Sequence, residues 1–299
     1  MIGPGEERQV LVGLGEVLWD MLPTGKQLGG APANFAYHAQ ALGGRGVVVS
    51  CVGEDVLGQE ILTRLDQLGF EHRYVAIDRD HPTGTVSVEL DAEGKPTYTI
   101  HENVAWDYLP YSSDLEALAG DTDAVCFGSL GQRSQVSRET IGQFLEATKP
   151  DCLRLFDLNL RQSYFNKEII HSLLQLSNVL KLNEPELQVL TQLLAISGSE
   201  TEVLRQLSER YALRVIALTR GERGSRLVTP DEESQHPGFE VEVADTVGAG
   251  DSFAAVLAIG LLRGWKLDQI NERANHIASF VCSQNGATPV LPSDLVKIA

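Results

Sequence analysis

The stretch "DTVGAGDSF", residues 245–253, sets a carboxylate directly behind a glycine-rich turn and ahead of the apolar run "AAVLAIGLL". Gly248, Ala249 and Gly250 precede a helix predicted to begin near Ser252. Successive backbone N–H groups in such a turn, with the positive end of the helix dipole behind them, form a concavity that holds anions. Glycine permits the turn and lets a ligand approach the backbone closely. Asp251 stands at its rim, and a carboxylate within reach of both an anion and a hydroxyl is suited to take up a proton during phosphoryl transfer. The local alternative is a helix cap worth ~1 kcal/mol, and on these nine residues alone the cap is the better-supported reading.

Such residues need a scaffold. Apolar and β-branched runs at 9–15, 46–53, 123–130, 153–160, 178–183 and 214–221 predict strands, and helical spacing at 31–43, 58–69, 137–149, 167–177, 184–194 and 202–213 predicts helices between them. This alternation predicts an α/β fold: a mostly parallel sheet flanked by helices on both faces, three layers in all. Residues 83–100 depart from it, because apolar and polar residues alternate through Val86, Val88, Leu90, Tyr98 and Ile100 across the turn "DAEGKP". That pattern predicts a hairpin with one buried face, which with residues 16–28 would make a small sheet beside the main one. No repeat, low-complexity tract or linker interrupts the chain, so residues 1–299 read as one domain.

Composition excludes several classes. The formal net charge is −17, from 24 Lys+Arg against 41 Asp+Glu, which argues against nucleic-acid and anionic-membrane binding. No apolar stretch reaches the ~18 residues of a membrane span. The first residues, "MIGPGEERQV", lack a basic start and apolar core, so no signal peptide and a cytoplasmic location are expected. Cys51, Cys126, Cys152 and Cys282 form no CxxC pair and read as free thiols. "GLGEVL" at 13–18 begins like a dinucleotide fingerprint, but Leu18 occupies the third glycine position. There is no GxxxxGK[ST], HExxH or GxSxG, and the histidines are scattered.

Two stretches taken together change the weight of the opening one. "GGAPANFAYHAQALGG", residues 29–44, resembles the first signature of the ribokinase-like (PfkB) sugar kinases, and "DTVGAGDSF" resembles the second. They lie in the expected order near opposite ends of the chain, and the likeness runs over nearly its full length. The resemblance implies a ribokinase-like fold and an ATP-dependent transfer to a sugar hydroxyl, with Mg2+. It makes Asp251 the base and Gly248, Ala249 and Gly250 the anion hole. Asp20, Gly30 and Asn34 match sugar-hydroxyl ligands, and a polyol does call for paired donors and acceptors. "LNEPE" supplies Asn183 and Glu186 of an NxxE motif that organises magnesium waters and phosphates, where the local alternative is a solvated helix start. Thr219, Arg220, Gly221 and Gly224 of "LTRGERG" match the nucleotide loop, and Asn275, Ala278, Cys282 and Gly286 the adenine wall. Some relatives hold a monovalent cation; here Asp245, Val247, Val281, Gln284 and Gly286 would serve for K+, although Val290 replaces a hydroxyl ligand.

The resemblance is nearest to bacterial fructokinases. Ala31 and Pro32 stand where ribokinases carry Lys-Gly, and "FDLNLRQSYF" resembles a D-x-N-x-R stretch that would bring Asp157, Asn159 and Arg161 to the site, with Leu158 in place of a usual proline. Arg161 reads equally as a substrate contact or a structural ion-pair partner. Asn103 and Ala105 fall where relatives close a lid over the sugar, so the lid is expected from about 16–28 and 83–105. The apolar face of the hairpin would serve either pairing of two copies or burial within one. Ribokinase, ketodeoxygluconate kinase and nucleoside kinase activities are the rivals within the class, and a non-catalytic sugar- or nucleotide-binding protein the rival outside it.

Overall fold

The computed structural model describes residues 8–23, 25–90 and 96–296. Its strands are β1 (Val10–Leu14), β2 (Leu18–Leu22), β3 (Gly25–Gly29), β4 (Arg45–Gly53), β5 (Val75–Asp78), β6 (Thr85–Leu90), β7 (Pro96–Ile100), β8 (Ala124–Gly128), β9 (Leu153–Asp157), β10 (Val179–Asn183), β11 (Val215–Thr219), β12 (Ser225–Val228) and β13 (Glu233–His236). The helices are α1 (Ala31–Ala41), α2 (Val56–Gln67), α3 (Ser113–Asp121), α4 (Gln135–Ala147), α5 (Lys167–Leu176), α6 (Glu184–Leu194), α7 (Glu200–Tyr211), α8 (Ala249–Leu262), α9 (Leu267–Cys282) and α10 (Ser293–Val296). None of the described helices is long and apolar enough to cross a membrane.

Nine strands form the main sheet in the order β13-β12-β11-β10-β9-β8-β1-β4-β5. All neighbours are parallel except β11–β12 and β12–β13. The central strands β1 and β8 are apolar throughout because both faces are covered. On one face Leu115, Phe144, Ile170, Leu190 and Leu204 of α3–α7 pack on Val12, Phe127, Phe156, Leu182 and Ile216. On the other, Phe35 of α1, Phe253 and Leu257 of α8 and Ile277 of α9 cover Leu11, Leu155, Val179 and Ala217. Helix α8 is apolar nearly all round, as a helix wedged between a sheet and two other helices must be. The expected three-layer arrangement is therefore present.

A separate sheet of order β3-β2-β6-β7 stands beside it. Val86 and Ile100 are buried with Leu18, Val104, Trp106 and Leu130, so this chain itself covers that part of the hairpin's apolar face. Tyr98 departs from the expectation of one buried face: it is 54% exposed. The Val88 and Leu90 side chains lie outside the described residues. The short edge strands β5 and β13 escape the sequence pattern because an edge strand need not be apolar on both sides.

Candidate active site

The carboxyl ends of parallel strands are where an open α/β sheet collects ligands. Asp157 closes β9, Asn183 closes β10, Thr219 closes β11, and Glu16 follows β1. Into this edge points the first turn of α8. The helix starts at Ala249, three residues before the expected Ser252, with Gly248 as its N-cap at φ 80°. A Cβ on Gly248 would lie 2.4 Å from the Ala287 carbonyl oxygen, so both the φ and the close approach require glycine.

Asp251 is consequently the third helical residue, not the cap, and the α8 cap has no side-chain hydrogen bond. The capping alternative falls on that geometry. Asp251 Oδ2 instead accepts a hydrogen bond from Asn34 Nδ2 at 2.8 Å, joining the two signature stretches. The first backbone N–H groups of α8 have no partner within the helix, as in any helix, and face the same edge. Gly30 is the N-cap of α1 at φ 111°, and the Asp20 carboxylate of β2 lies over the neighbouring Gly29, 2.3 Å from where a Cβ would be. Asp20, Gly30, Asn34 and Asp251 thus follow one another along a single surface.

Burial raises Asp251 to about 6, helped by the charge of Asp157 and opposed by the Asn34 hydrogen bond, Lys181 and Arg161. Burial likewise lifts Asp20 to about 6, against the pull of Arg161. Glu16, 3% exposed, is lifted to about 7 by burial, against its own backbone N–H and Arg161. Its Oε2 is buried without a hydrogen-bond partner. Arg161 itself is exposed, yet it faces the field of all three carboxylates.

The folded chain holds the Glu16 proton more tightly than the unfolded one. Its contribution is therefore most favourable below about 4.5 and is lost as pH rises to about 7. Glu16→Gln is expected to raise unfolding stability by roughly 2–3 kcal/mol at pH 8 and to change it little at pH 4.5. Urea unfolding at both pH values checks this, and an equal gain at the two would refute burial of the charge as its origin.

The NxxE pair forms a capping box: Glu186 N donates to Asn183 Oδ1 at 2.9 Å, and Asn183 N donates to Glu186 Oε2 at 2.8 Å. Leu160 N donates to Glu186 Oε1 at 2.9 Å, and Glu186 is buried, so the helix start is not the solvated one that the local alternative describes. Each carboxylate oxygen keeps a second lone pair. Among the described residues no cluster of three or more His, Cys, Asp or Glu could bind a metal directly. The donor set suits a cation that keeps its own waters, as magnesium does.

In the 219–224 loop, Arg220 does not offer a free charge. Its Nη2 donates to Glu200 at 2.5 Å, and its Nε lies 3.9 Å from Glu184. Asn275 Nδ2 donates inward, to Ser225 Oγ at 2.7 Å and Asn271 O at 2.8 Å, so this amide braces β12 behind the loop. Ala278 and Cys282 are partly exposed on one face of α9. Asp245 accepts from Val247 N at 3.0 Å and Gly286 N at 3.2 Å, which knits 245–247 to the turn after α9. Gln284 N donates to Val281 O in that turn, while Val290 is 85% exposed.

Asn103 is exposed at φ 55° and its Oδ1 accepts from Tyr108 OH at 3.4 Å, with no hydrogen bond to the Asp20–Asp251 surface among the described residues. The segment carrying Arg161 is fastened to β7: Gln162 Nε2 donates to Tyr98 O at 3.0 Å and Tyr164 OH to Ile100 O at 3.2 Å. Beside it Arg133 makes a two-pronged pair with Asp107, at 2.7 and 2.8 Å, and donates to His101 O at 2.6 Å.

Sequence reasoning passed over Lys181, whose Nζ donates to both carboxylate oxygens of Asp157 at 2.9 and 2.8 Å. A lysine inside "NVLKLN" is the signal that was there to read, since a charge in a buried strand needs a partner. Glu16, directly after "GLG", carries a similar signal.

Comparison with known proteins gives concordant results. Residues 16–294 match the family model described as pfkB family carbohydrate kinase. A fructokinase of Klebsiella pneumoniae is 32% identical, over 93% of this chain and 95% of that protein. The crystal structure of an uncharacterized sugar kinase from Pyrococcus horikoshii in complex with ATP superposes with a TM-score of 0.76 at 25% identity, covering 93% of this chain and 94% of that one. A fructokinase of Vibrio cholerae, solved with fructose, ADP and calcium, superposes with a TM-score of 0.80 at 24% identity, covering 97% of each chain.

Proposed function

We propose, from the premise that this chain belongs to the pfkB family of carbohydrate kinases, that it phosphorylates a primary hydroxyl of fructose at the expense of ATP. That it is a phosphotransferase acting on a sugar hydroxyl follows from the family itself. The observation that carries the finer reading is the 2.8 Å hydrogen bond from Asn34 to Asp251, which sets the base beside a surface of hydroxyl-binding groups.

Asp20, Gly30 and Asn34 orient the sugar so that one hydroxyl meets Asp251. Asp251 takes the hydroxyl proton as that oxygen attacks the terminal phosphorus of ATP, and the bond to the ADP oxygen breaks. The amides at 248–250 receive the charge on the transferred oxygens. Bound magnesium would add neutralisation of the phosphates, its waters accepted by Glu186 and Asn183. Thr219, Gly221 and Gly224 line the nucleotide side. The small sheet, tied down through Gln162 and Tyr164, excludes water from the reacting centre. Arg161 is the exposed cation whose charge acts on Glu16, Asp20 and Asp251 together.

A coupled ADP assay against fructose, ribose, ketodeoxygluconate and adenosine tests the reading. Fructose is expected to give the highest kcat/KM. Preference for another acceptor would replace the substrate, and no acceptor-dependent ADP at all would favour a binding protein.

A further inference from the structure

Lys181 lies in β10 between Leu180 and Leu182, on the face that it shares with Val179 and that α8 covers. It is 6% exposed, and among the described residues its Nζ forms hydrogen bonds to Asp157 alone. A Cβ on Gly250 would come within 3.2 Å of that nitrogen, so the ammonium sits directly under the second residue of α8. Two of its three N–H groups serve Asp157, which leaves one for the helix side.

Burying two charges is costly, and an apolar pair of similar volume would hold β9 to β10 at least as well. Stability therefore gives no reason for an ion pair at this place. Its surroundings do. The groups acting on Asp251 are Asp157 from β9, Lys181 from β10, Arg161 from the 159–166 segment and Asn34 from α1, with Glu16 after β1 coupled to it. Lys181 is the buried cation of that set. Burial opposes its charge, but Asp157, Glu186 and Asp251 outweigh burial and keep it protonated.

We propose that Lys181, held by Asp157 beneath Gly250, is a further positioning residue of the transfer reaction, adding a fixed positive charge to the amides of the anion hole. The inference rests on the kinase reading above, with α8 as the site of the transferred phosphoryl group. As charge gathers on that group, the ammonium underneath is already in place and costs no reorganisation.

The test compares wild type, Lys181→Met, the charge-free Lys181→Met/Asp157→Asn and the charge-keeping Lys181→Arg, each checked for folding by circular dichroism. The double variant leaves no unpaired buried charge, so its fold should survive. It is expected to lose about 100-fold in kcat, as removal of one oxyanion donor does, with KM for sugar and ATP within about threefold. Lys181→Arg should keep most of the rate. In Lys181→Met the acid limb of kcat/KM should move to higher pH, because Asp157 then acts on Asp251 without Lys181 to offset it, and in the double variant it should return. A folded double variant with unchanged kcat beside an active wild type overturns the role of Lys181 and leaves the kinase reading standing. A wild type without acceptor-dependent turnover sinks both.

Discussion

Asp251→Asn is expected to lower kcat by about 10²–10⁴-fold, the range for loss of a positioned general base. The substitution keeps the shape of the side chain and an oxygen able to accept from Asn34, so the 2.8 Å contact and the sugar surface should persist. The loss should therefore fall on kcat, with KM for the sugar little changed. Burial lifts the wild-type carboxyl from 3.8 to about 6. Wild-type kcat/KM should accordingly decline below about pH 6 as the base takes up its proton, and the residual activity of the variant should lack that limb. Because its folded pKa is raised, ionised Asp251 costs stability above about pH 6, so the variant should be no less stable than wild type at pH 8. Initial rates over pH 5–9 and a denaturation curve settle these points together. An Asp251→Asn enzyme within threefold of wild type would remove Asp251 from the mechanism.

Gly248→Ala is expected to cost about 3 kcal/mol or more and to reduce kcat at least ~100-fold. Alanine at φ 80° pays the left-handed penalty, and its methyl group would lie 2.4 Å from Ala287 O and 2.6 Å from Ala287 Cα. Neither atom can give way freely. Ala287 O is held at 2.9 Å by Nε2 of His38, a buried imidazole that burial lowers to about 4 and so keeps neutral. Since a carbonyl only accepts, Nε2 carries the proton. Relief must come from the start of α8, where the proposed anion-hole amides are. Guanidinium unfolding and initial rates on the same preparation check both halves. A stable variant with its rate intact would show that the turn is not the anion hole.

The layers and most of the main sheet were legible because a parallel strand covered on both faces must be apolar and a covering helix must show its spacing. "GVVVSCVG" and "RVIALTRG" admit little else. The start of α8 was misread by three residues: glycine and alanine carry no cap signal, and the left-handed Gly248 that sets the boundary is fixed by Ala287, far along the chain. The ion pairs of Arg220 were not legible, because Glu184 and Glu200, its partners, are brought to it only by the fold. Tyr98 follows the alternation of its strand and is nonetheless exposed, whereas Ile100 two residues on is buried with Val86, Leu18 and Trp106. Within the site, the signature residues were readable as types. Their charge states were not, because burial is a property of the assembled molecule.

The contact between Asn34 and Asp251 spans 217 positions of chain. A ribosome making this protein lays down the proposed hydroxyl-binding residues before the proposed base. Until α8 and α9 emerge, Leu155, Val179 and Ala217 lack the cover that Phe253, Leu257 and Ile277 give them, and the nascent sheet shows an apolar face. The segment that ends this exposure is the one that carries Asp251. Unfinished chains are thus at once the adhesive ones and the ones without the proposed base, and the helix that covers the apolar face also brings Asp251 to Asn34.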